Sequence, residues 1–286
     1  MAKILKGAPV AEALTAKTRQ LCAQLSAKDI TPTLAFLRVG ERADDLSYER
    51  GAGKRCEKAG IACRTAALPA DVSCADFYHT LAALNTDNTV HGILMFRPLP
   101  KALDNEKARQ MILPAKDVDG CSDGSLAGVF TGTPVGFAPC TAQAAIEMLD
   151  YYGIDCAGKR AVVIGRSLVV GRPAAMMLMH KNATVTICHT RTRDLPAAVR
   201  EADIVLACSG QMESIDASYL RPGQTVIDVG IGWNDAKGKL CGDVLYEEAE
   251  PLVDALTPVP GGVGGVTSAV LAYHTALAAL AASGSA

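Results

Sequence analysis

The stretch Val162-Val163-Ile164-Gly165-Arg166-Ser167-Leu168-Val169-Val170-Gly171-Arg172-Pro173 restricts this chain more than any other. An apolar run with β character ends in a glycine able to turn the chain tightly, and a helix is expected to open at Gly171. Free amides in such a turn and the positive end of the helix make a site for a pyrophosphate or another anion. The spacing departs from G-x-G-x-x-G, so the strict dinucleotide fingerprint is not met. An ordinary strand–turn–helix in an α/β sheet reads the same way, and the turn alone leaves both readings open.

The rest of the chain supplies the sheet. Helices are expected over 12–28, 45–59 and 74–84, and strands over 33–38, 63–68 and 92–96. Gly51 and Gly53 weaken the second helix. A helix over 141–152 has Thr141 as its expected N-cap. Strands then follow at 160–164, 183–188, 204–208 and 225–229, with a helix at 171–180, and 266–282 reads as a closing helix. Strands alternating with helices predict an α/β class with parallel pairing. At 286 residues the chain has room for about two domains. The boundary is expected near Asp150. Residues 1–145 would form an N-terminal α/β substrate domain, completed by a C-terminal helix, 266–286, returning to it. Residues 146–265 would form a Rossmann-like NAD(P)-binding domain.

Composition excludes several alternatives. Hydrophobic residues make up 49% and charged residues 20%, enough for a packed core. A net charge of −2 offers no electrostatic footprint for nucleic acid. The apolar runs look too short and interrupted for a membrane span of about 20 residues. Met1 to Gly7 lacks the apolar core of a signal peptide, so a soluble, cytoplasmic protein with no membrane partner is expected. The ten cysteines form no C-x-x-C pair and no zinc-like Cys/His spacing, so neither a disulfide framework nor a metal is expected. Most of them read as small buried hydrophobes.

The end of the strand at 183–188 separates cofactors. An NAD site carries an acidic residue about 20 residues past the glycine turn, for the ribose hydroxyls. Here that place reads Cys188-His189-Thr190-Arg191-Thr192, and the nearest acid is Asp194. Thr190 and Arg191, with Arg166, suit a 2′-phosphate and hence NADP, with NAD possible. A solvated basic loop has the same appearance. His189 has no partner ligands nearby and reads as a structural histidine.

Several strings together resemble the methylenetetrahydrofolate dehydrogenase/cyclohydrolase family. They are Lys116-Asp117-Val118-Asp119-Gly120, Pro139-Cys140-Thr141, Gly165-Arg166-Ser167 with Val170-Gly171-Arg172-Pro173, Ala183 to His189, Val226-Ile227-Asp228-Val229-Gly230, and Thr257 to Gly264. They run in the family's order and span most of the chain. The resemblance implies a homodimer of two-domain subunits with a tetrahydrofolate derivative in the cleft between domains. It implies oxidation of 5,10-methylenetetrahydrofolate by NADP in one-carbon metabolism, and in most members hydrolysis of the methenyl product. Carried over residue by residue, it gives Tyr48 and Asp119 as catalytic and substrate-binding residues, with Pro260, Gly261 and Gly262 as further substrate contacts. Gly165, Arg166, Ser167, Gly171, Thr190, Arg191 and Ile231 become cofactor-binding residues.

The departures fall on one of the two reactions. The family's lysine four residues after the tyrosine is Ala52 here, and its glutamine in a Q-L-P-L-P string is Phe96. A serine three residues before the tyrosine is Asp45, and the usual G-V-G-P-M-T reads Gly262 to Thr267 as G-V-G-G-V-T. Hydride transfer asks mainly for positioning, whereas hydrolysis needs protons moved. Ala52 has no ionisable group and Phe96 no side-chain hydrogen bond. On an ideal helix Lys54 faces about 120° away from Tyr48, and Arg55 lies about 10.5 Å further along the axis. A dehydrogenase with weak or lost cyclohydrolase activity is therefore expected. A full bifunctional enzyme, another two-domain NAD(P)-dependent dehydrogenase, and a dinucleotide-binding protein with a decayed site are the alternatives.

Overall fold

Short apolar runs become strands, and stripes at three- and four-residue spacing become helices. The computed structural model describes residues 1–284. In chain order its elements are β1 (Lys3–Ile4), α1 (Gly7–Ser26), β2 (Thr33–Val39), α2 (Ala43–Ala59), β3 (Ala62–Leu68), α3 (Cys74–Thr86), β4 (Gly92–Met95), α4 (Asn105–Met111), α5 (Asp123–Thr131) and α6 (Cys140–Tyr151). There follow β5 (Arg160–Ile164), α7 (Gly171–His180), β6 (Thr184–Cys188), α8 (Leu195–Arg200), β7 (Ile204–Ala207), β8 (Thr225–Asp228), β9 (Gly232–Asn234), β10 (Lys239–Cys241), α9 (Tyr246–Ala249), β11 (Ala255–Leu256) and α10 (Gly264–Ala282). They divide into two compact units. One combines Met1–Ala11 with Thr141–Thr267; the other combines Glu12–Cys140 with the segment from Ser268 onward.

The second unit holds a parallel sheet in the order β3-β2-β4. Every residue of β2 is buried, as expected for a central parallel strand covered on both faces. Leu37, Phe77, Leu81, Ile93 and Met95 form the heart of its core. α2 runs unbroken through Gly51 and Gly53. Asp44 and Asp45 sit at its positive end, and Gly60, at φ +88°, closes it by donating to the carbonyls of Cys56 and Glu57. Its buried stripe is Asp45, Ala52, Cys56 and Ala59. The sequence reading missed α4 and α5, which the side chains of Asp104 and Ser122 cap.

The first unit holds a six-stranded parallel sheet in the order β1-β11-β8-β7-β5-β6, beside a β9–β10 antiparallel hairpin. Val162, Ile164, Val205, Val226 and Leu256 lie in its core. Three expectations are corrected. Met1–Ala11 groups with this unit and not with the N-terminal domain, because Lys3 and Ile4 pair with Ala255 and Leu256. Thr141 is not an N-cap: α6 begins at Cys140, so Thr141 lies inside its first turn. By length and composition α10 is apolar enough to cross a membrane, contrary to the reading that no segment is. Its Val266, Val270, Leu271 and Ala276 are buried in the protein, which makes it a core helix. All ten cysteines are free; six are buried, whereas Cys63 and Cys74 are exposed.

Candidate active site

In the three-stranded unit, α2 and the chain leaving β4 place Tyr48 against Phe96. Their rings meet edge to face at 6.3 Å and 81°, and Phe96 also packs on Phe36 at 6.1 Å. Phe96 is 8% exposed and donates its amide to the Leu37 carbonyl, prolonging the β2–β4 ladder by one bond. Ala52, one helical turn from Tyr48, is 1% exposed. Positions 52 and 96 are therefore packed apolar surface. Glu49, next to Tyr48, binds Arg38 at 2.9 Å and accepts from the Thr65 hydroxyl at 2.7 Å, which ties α2 to β2 and β3.

The loop after α4 delivers Asp119. Asp117, fully buried, accepts the amides of Cys121 and Ser122 at 3.0 and 2.6 Å, which fixes the turn. Gly120 completes it at φ +69°, where a Cβ would lie 2.4 Å from the backbone of Ala138 and Pro139. His274 on α10 holds the carbonyl of Val118. Asp119 then stands 3.9 Å from the Arg97 guanidinium. Burial pushes its carboxyl up to about 6, against the pull of Arg97. Tyr48 is 39% exposed overall, yet burial around its hydroxyl, with Cys140 and Asp119 nearby, raises its phenol above the ordinary range. Tyr48, Phe96, Asp119 and Arg97 thus share one neighbourhood.

Other cations near α2 are turned elsewhere. Arg55 lies 3.7 Å from Glu12, which Lys58 also binds at 2.5 Å. Lys54 is exposed. Asp45 is 8% exposed and lies 3.9 Å from Arg42. It does not face water.

In the six-stranded unit, β5 delivers Gly165, whose amide bonds the Cys188 carbonyl at 2.9 Å. Gly165 has φ +134°, and a Cβ there would lie 2.3 Å from the carbonyl oxygen of Cys208. A Cβ on Gly171 would lie 2.3 Å from the oxygen of Gly165. Backbone crosses backbone where only glycine fits. The Ser167 hydroxyl accepts from Val170, and the Ser167 carbonyl from Arg172, which ties the loop to the start of α7. A recess of about 230 Å³ opens beside this turn, lined by Gly165, Arg166, His189, Thr190, Ser209 and Gln211 among others. Arg191 is exposed and outside that lining; its amide donates to His189 Nδ1 at 3.1 Å. Ile231 is 60% exposed and also outside it.

Two buried carboxylates brace the far wall. Asp243 accepts from the Ser209 amide, the Ser209 hydroxyl and the Gly210 amide at 2.5, 2.9 and 3.0 Å, fixing the loop after β7. Asp228 accepts the amides of Gly230, Asp243 and Val244, and burial still raises its carboxyl to about 7. Elsewhere in this unit, Pro260 follows a cis peptide bond and Gly261 has φ +102°. Gly7 donates to the Gly261 carbonyl at 2.8 Å, and a Cβ on Gly7 would lie 2.0 Å from the oxygen of Gly262. The start of α1 therefore holds the 257–262 loop. Among the described residues, no group of three or more His, Cys, Asp or Glu is placed to hold a metal ion.

Comparison with known proteins gives these sites a context. The catalytic-domain model of the tetrahydrofolate dehydrogenase/cyclohydrolase family matches residues 5–119, and its NAD(P)-binding-domain model matches residues 139–283. The chain belongs to this family. It is 50% identical over 276 residues, 96% of each chain, to the bifunctional protein FolD of Carboxydothermus hydrogenoformans. The structure of the bifunctional FolD methylenetetrahydrofolate dehydrogenase/cyclohydrolase of Campylobacter jejuni matches with a TM-score of 0.94 at 34% identity, covering 98% of this chain and 99% of that one. The FolD of Trypanosoma brucei, solved with NADP and an inhibitor, matches with a TM-score of 0.91 at 32% identity, covering 100% and 99%.

As a member of the tetrahydrofolate dehydrogenase/cyclohydrolase family, the chain keeps its two-domain α/β fold and its NAD(P)-binding domain. Sequence reasoning missed Arg97, His274, Asp243 and Gly7 as parts of the surroundings. Arg97 was visible as a charge between an apolar strand and Pro98, and His274 as a lone imidazole in an apolar helix. Asp243 and Gly7 act through backbone partners more than 30 and 250 residues away, which no local pattern announces.

Proposed function

We propose that this chain oxidises 5,10-methylenetetrahydrofolate with NADP and hydrolyses the methenyl product weakly or not at all. The observation that carries this is the packing of Phe96 against Tyr48, with the buried Ala52 one helical turn further along α2. Oxidation removes a hydride from the methylene carbon and delivers it to the nicotinamide, leaving a delocalised methenyl cation; it needs alignment more than proton transfer. Hydrolysis adds water to that cation, releases a proton and opens the ring to a formyl group. Tyr48 has a phenol held protonated, Phe96 and Ala52 have no exchangeable side-chain proton, and the Arg97 guanidinium offers donors but no acceptor. Asp119 is the remaining acid–base group, and we assign it to gripping the folate.

NADP fits the six-stranded unit: Gly165 and Gly171 let backbone cross backbone closely in the turn, and Gly165, Arg166 and Thr190 line the recess beside it. When bound, NADP supplies the hydride acceptor. In this reading Ser167 and the start of α7 face its phosphates, Arg166 and Thr190 the 2′-phosphate, and Arg191 adds longer-range charge. Ile231 contributes a backbone contact, and Pro260, Gly261 and Gly262 ligand contacts from their loop. The homodimer and cytoplasmic location implied by the family likeness belong to the same reading.

Full bifunctionality is the second reading, favoured by the 50% identity to a FolD named as bifunctional. Purified protein with methylenetetrahydrofolate and either NADP or NAD separates the two. Reduced cofactor with methenyl accumulating, and decaying at its spontaneous rate, supports the first. Enzyme-dependent loss of methenyl as fast as it forms supports the second. A preference for NAD over NADP would overturn the assignment of Arg166 and Thr190.

A further inference from the structure

We propose that Arg97 is a positioning residue that tunes the folate contact of Asp119, keeping that carboxylate ionised and ready to accept hydrogen bonds while sharing one of its oxygens with the ligand. The inference deepens the reading of Asp119 as the folate-gripping residue and rests on it. Arg97 occupies the second place of the string that carries Phe96, where the family string has leucine, so it brings a charge to a place otherwise apolar. Its Nη2 lies 3.9 Å from Asp119 Oδ2, with 29% and 26% of the two side chains exposed. The pair is open to a ligand yet withdrawn enough from water for the charge to be felt.

The groups around Asp119 leave Arg97 a defined task. From α2 comes Tyr48, a neutral phenol; from the start of α6 comes the Cys140 thiol; from its own loop come Asp117 and Cys121. Burial and the Asp117 charge both favour the protonated acid, and the Cys140 thiol gives weak support to the carboxylate. Arg97 is the cation in this set, and it opposes the first two. A protonated Asp119 would lose half its acceptor capacity toward the N–H groups of a pterin ring. Arg97→Leu therefore moves the protonation of Asp119 to higher pH, by about one unit or more for a carboxylate deprived of an arginine at this distance.

The test measures tetrahydrofolate binding by calorimetry, and kcat/KM for methylenetetrahydrofolate, from pH 6 to 9. Wild type, Arg97→Leu, Arg97→Lys and Asp119→Asn are compared, with thermal melts to confirm folding. Arg97→Leu is expected to bind about threefold more weakly than wild type near pH 6.5 and to approach it above pH 8.5, since a one-unit rise from about 6 leaves roughly a quarter of Asp119 ionised there against roughly three quarters in wild type. Arg97→Lys should restore most of the acid limb, and Asp119→Asn should abolish the pH dependence altogether. An unchanged acid limb in Arg97→Leu, or an equal loss at every pH, overturns the proposal. Wild-type protein that does not bind tetrahydrofolate would instead defeat the underlying functional reading.

Discussion

His274 Nδ1 donates to the carbonyl of Val118 at 2.9 Å, one residue before Asp119. The bond joins α10 to the loop that presents Asp119, and Phe137 stacks on the same imidazole at 4.9 Å. Burial lowers His274 from 6.5 to about 4, so the folded protein holds it neutral. The unfolded chain binds the extra proton between those values, and stability falls as pH drops through that window. The loss sums to about 3 kcal/mol by pH 4, at 1.36 kcal/mol per pH unit. Asp119 and Asp228, both raised by burial, have the opposite slope, so the comparison must be with a variant. Urea unfolding of wild type and His274→Gln at pH 7.5 and 5.5 should show the gap between them narrowing at the lower pH. A constant gap would count against a buried neutral imidazole.

Gly51 and Gly53 sit inside α2, and a Cβ at either would meet nothing within 4 Å. Glycine in a helix interior costs about 0.5–1 kcal/mol relative to alanine. Gly51→Ala and Gly53→Ala should each stabilise the protein by about that much in denaturant melts. If α2 must flex to work, kcat should fall as stability rises; unchanged kcat with a higher midpoint would show a rigid helix suffices.

Gly171→Ala should act in the other direction. Its Cβ would lie within 2.3 Å of the Gly165 carbonyl, in backbone that has little room to yield. NADP affinity should fall at least tenfold, about 1.4 kcal/mol, while tetrahydrofolate binding stays within a factor of two. Retained cofactor affinity in the folded variant would remove the turn from the binding site.

Placing lysine and glutamine at positions 52 and 96 tests the proposed weakness of hydrolysis directly. Ala52→Lys with Phe96→Gln should raise enzyme-dependent methenyl hydrolysis at least tenfold, and neither change alone should do as much, because the two groups act on one proton path. The decay of methenyl absorbance gives the readout. A folded double variant that still makes NADPH but shows no gain would separate these positions from hydrolysis.

What the sequence made legible follows from the range of each interaction. The strands at 33–39, 160–164 and 204–207 are buried runs whose own composition demands a sheet. α7 announces itself by the glycine turn before it. β1 and β11 are two residues each and exist through pairing with partners distant in sequence, β1 with β11 and β11 also with β8, so no local pattern marks them. α4 and α5 are short and depend on their caps. Thr141 has the chemistry of a cap, but Cys140 starts the helix one residue earlier, where its amide reaches the Asp119 carbonyl at 3.4 Å. At the candidate site, the residue types at positions 48, 52, 96 and 119 were readable. That Arg97 would meet Asp119, and that Arg55 would turn to Glu12, depended on side-chain directions set by the fold.

The pairing of Lys3 with Ala255 and Ile4 with Leu256 also sets a timetable. On the ribosome, β2, β3 and β4 are complete once Met95 has emerged, so the three-stranded sheet can form early. β1 must wait for a partner roughly 250 residues later, about 13 to 50 seconds at ordinary elongation rates. Until then the six-stranded sheet lacks two of its strands, and β8 presents an open edge in the nascent chain. The sheet of the cofactor-binding half therefore closes late, just before α10 completes the other unit, and slow translation before β11 prolongs the interval in which that edge can pair with the wrong chain.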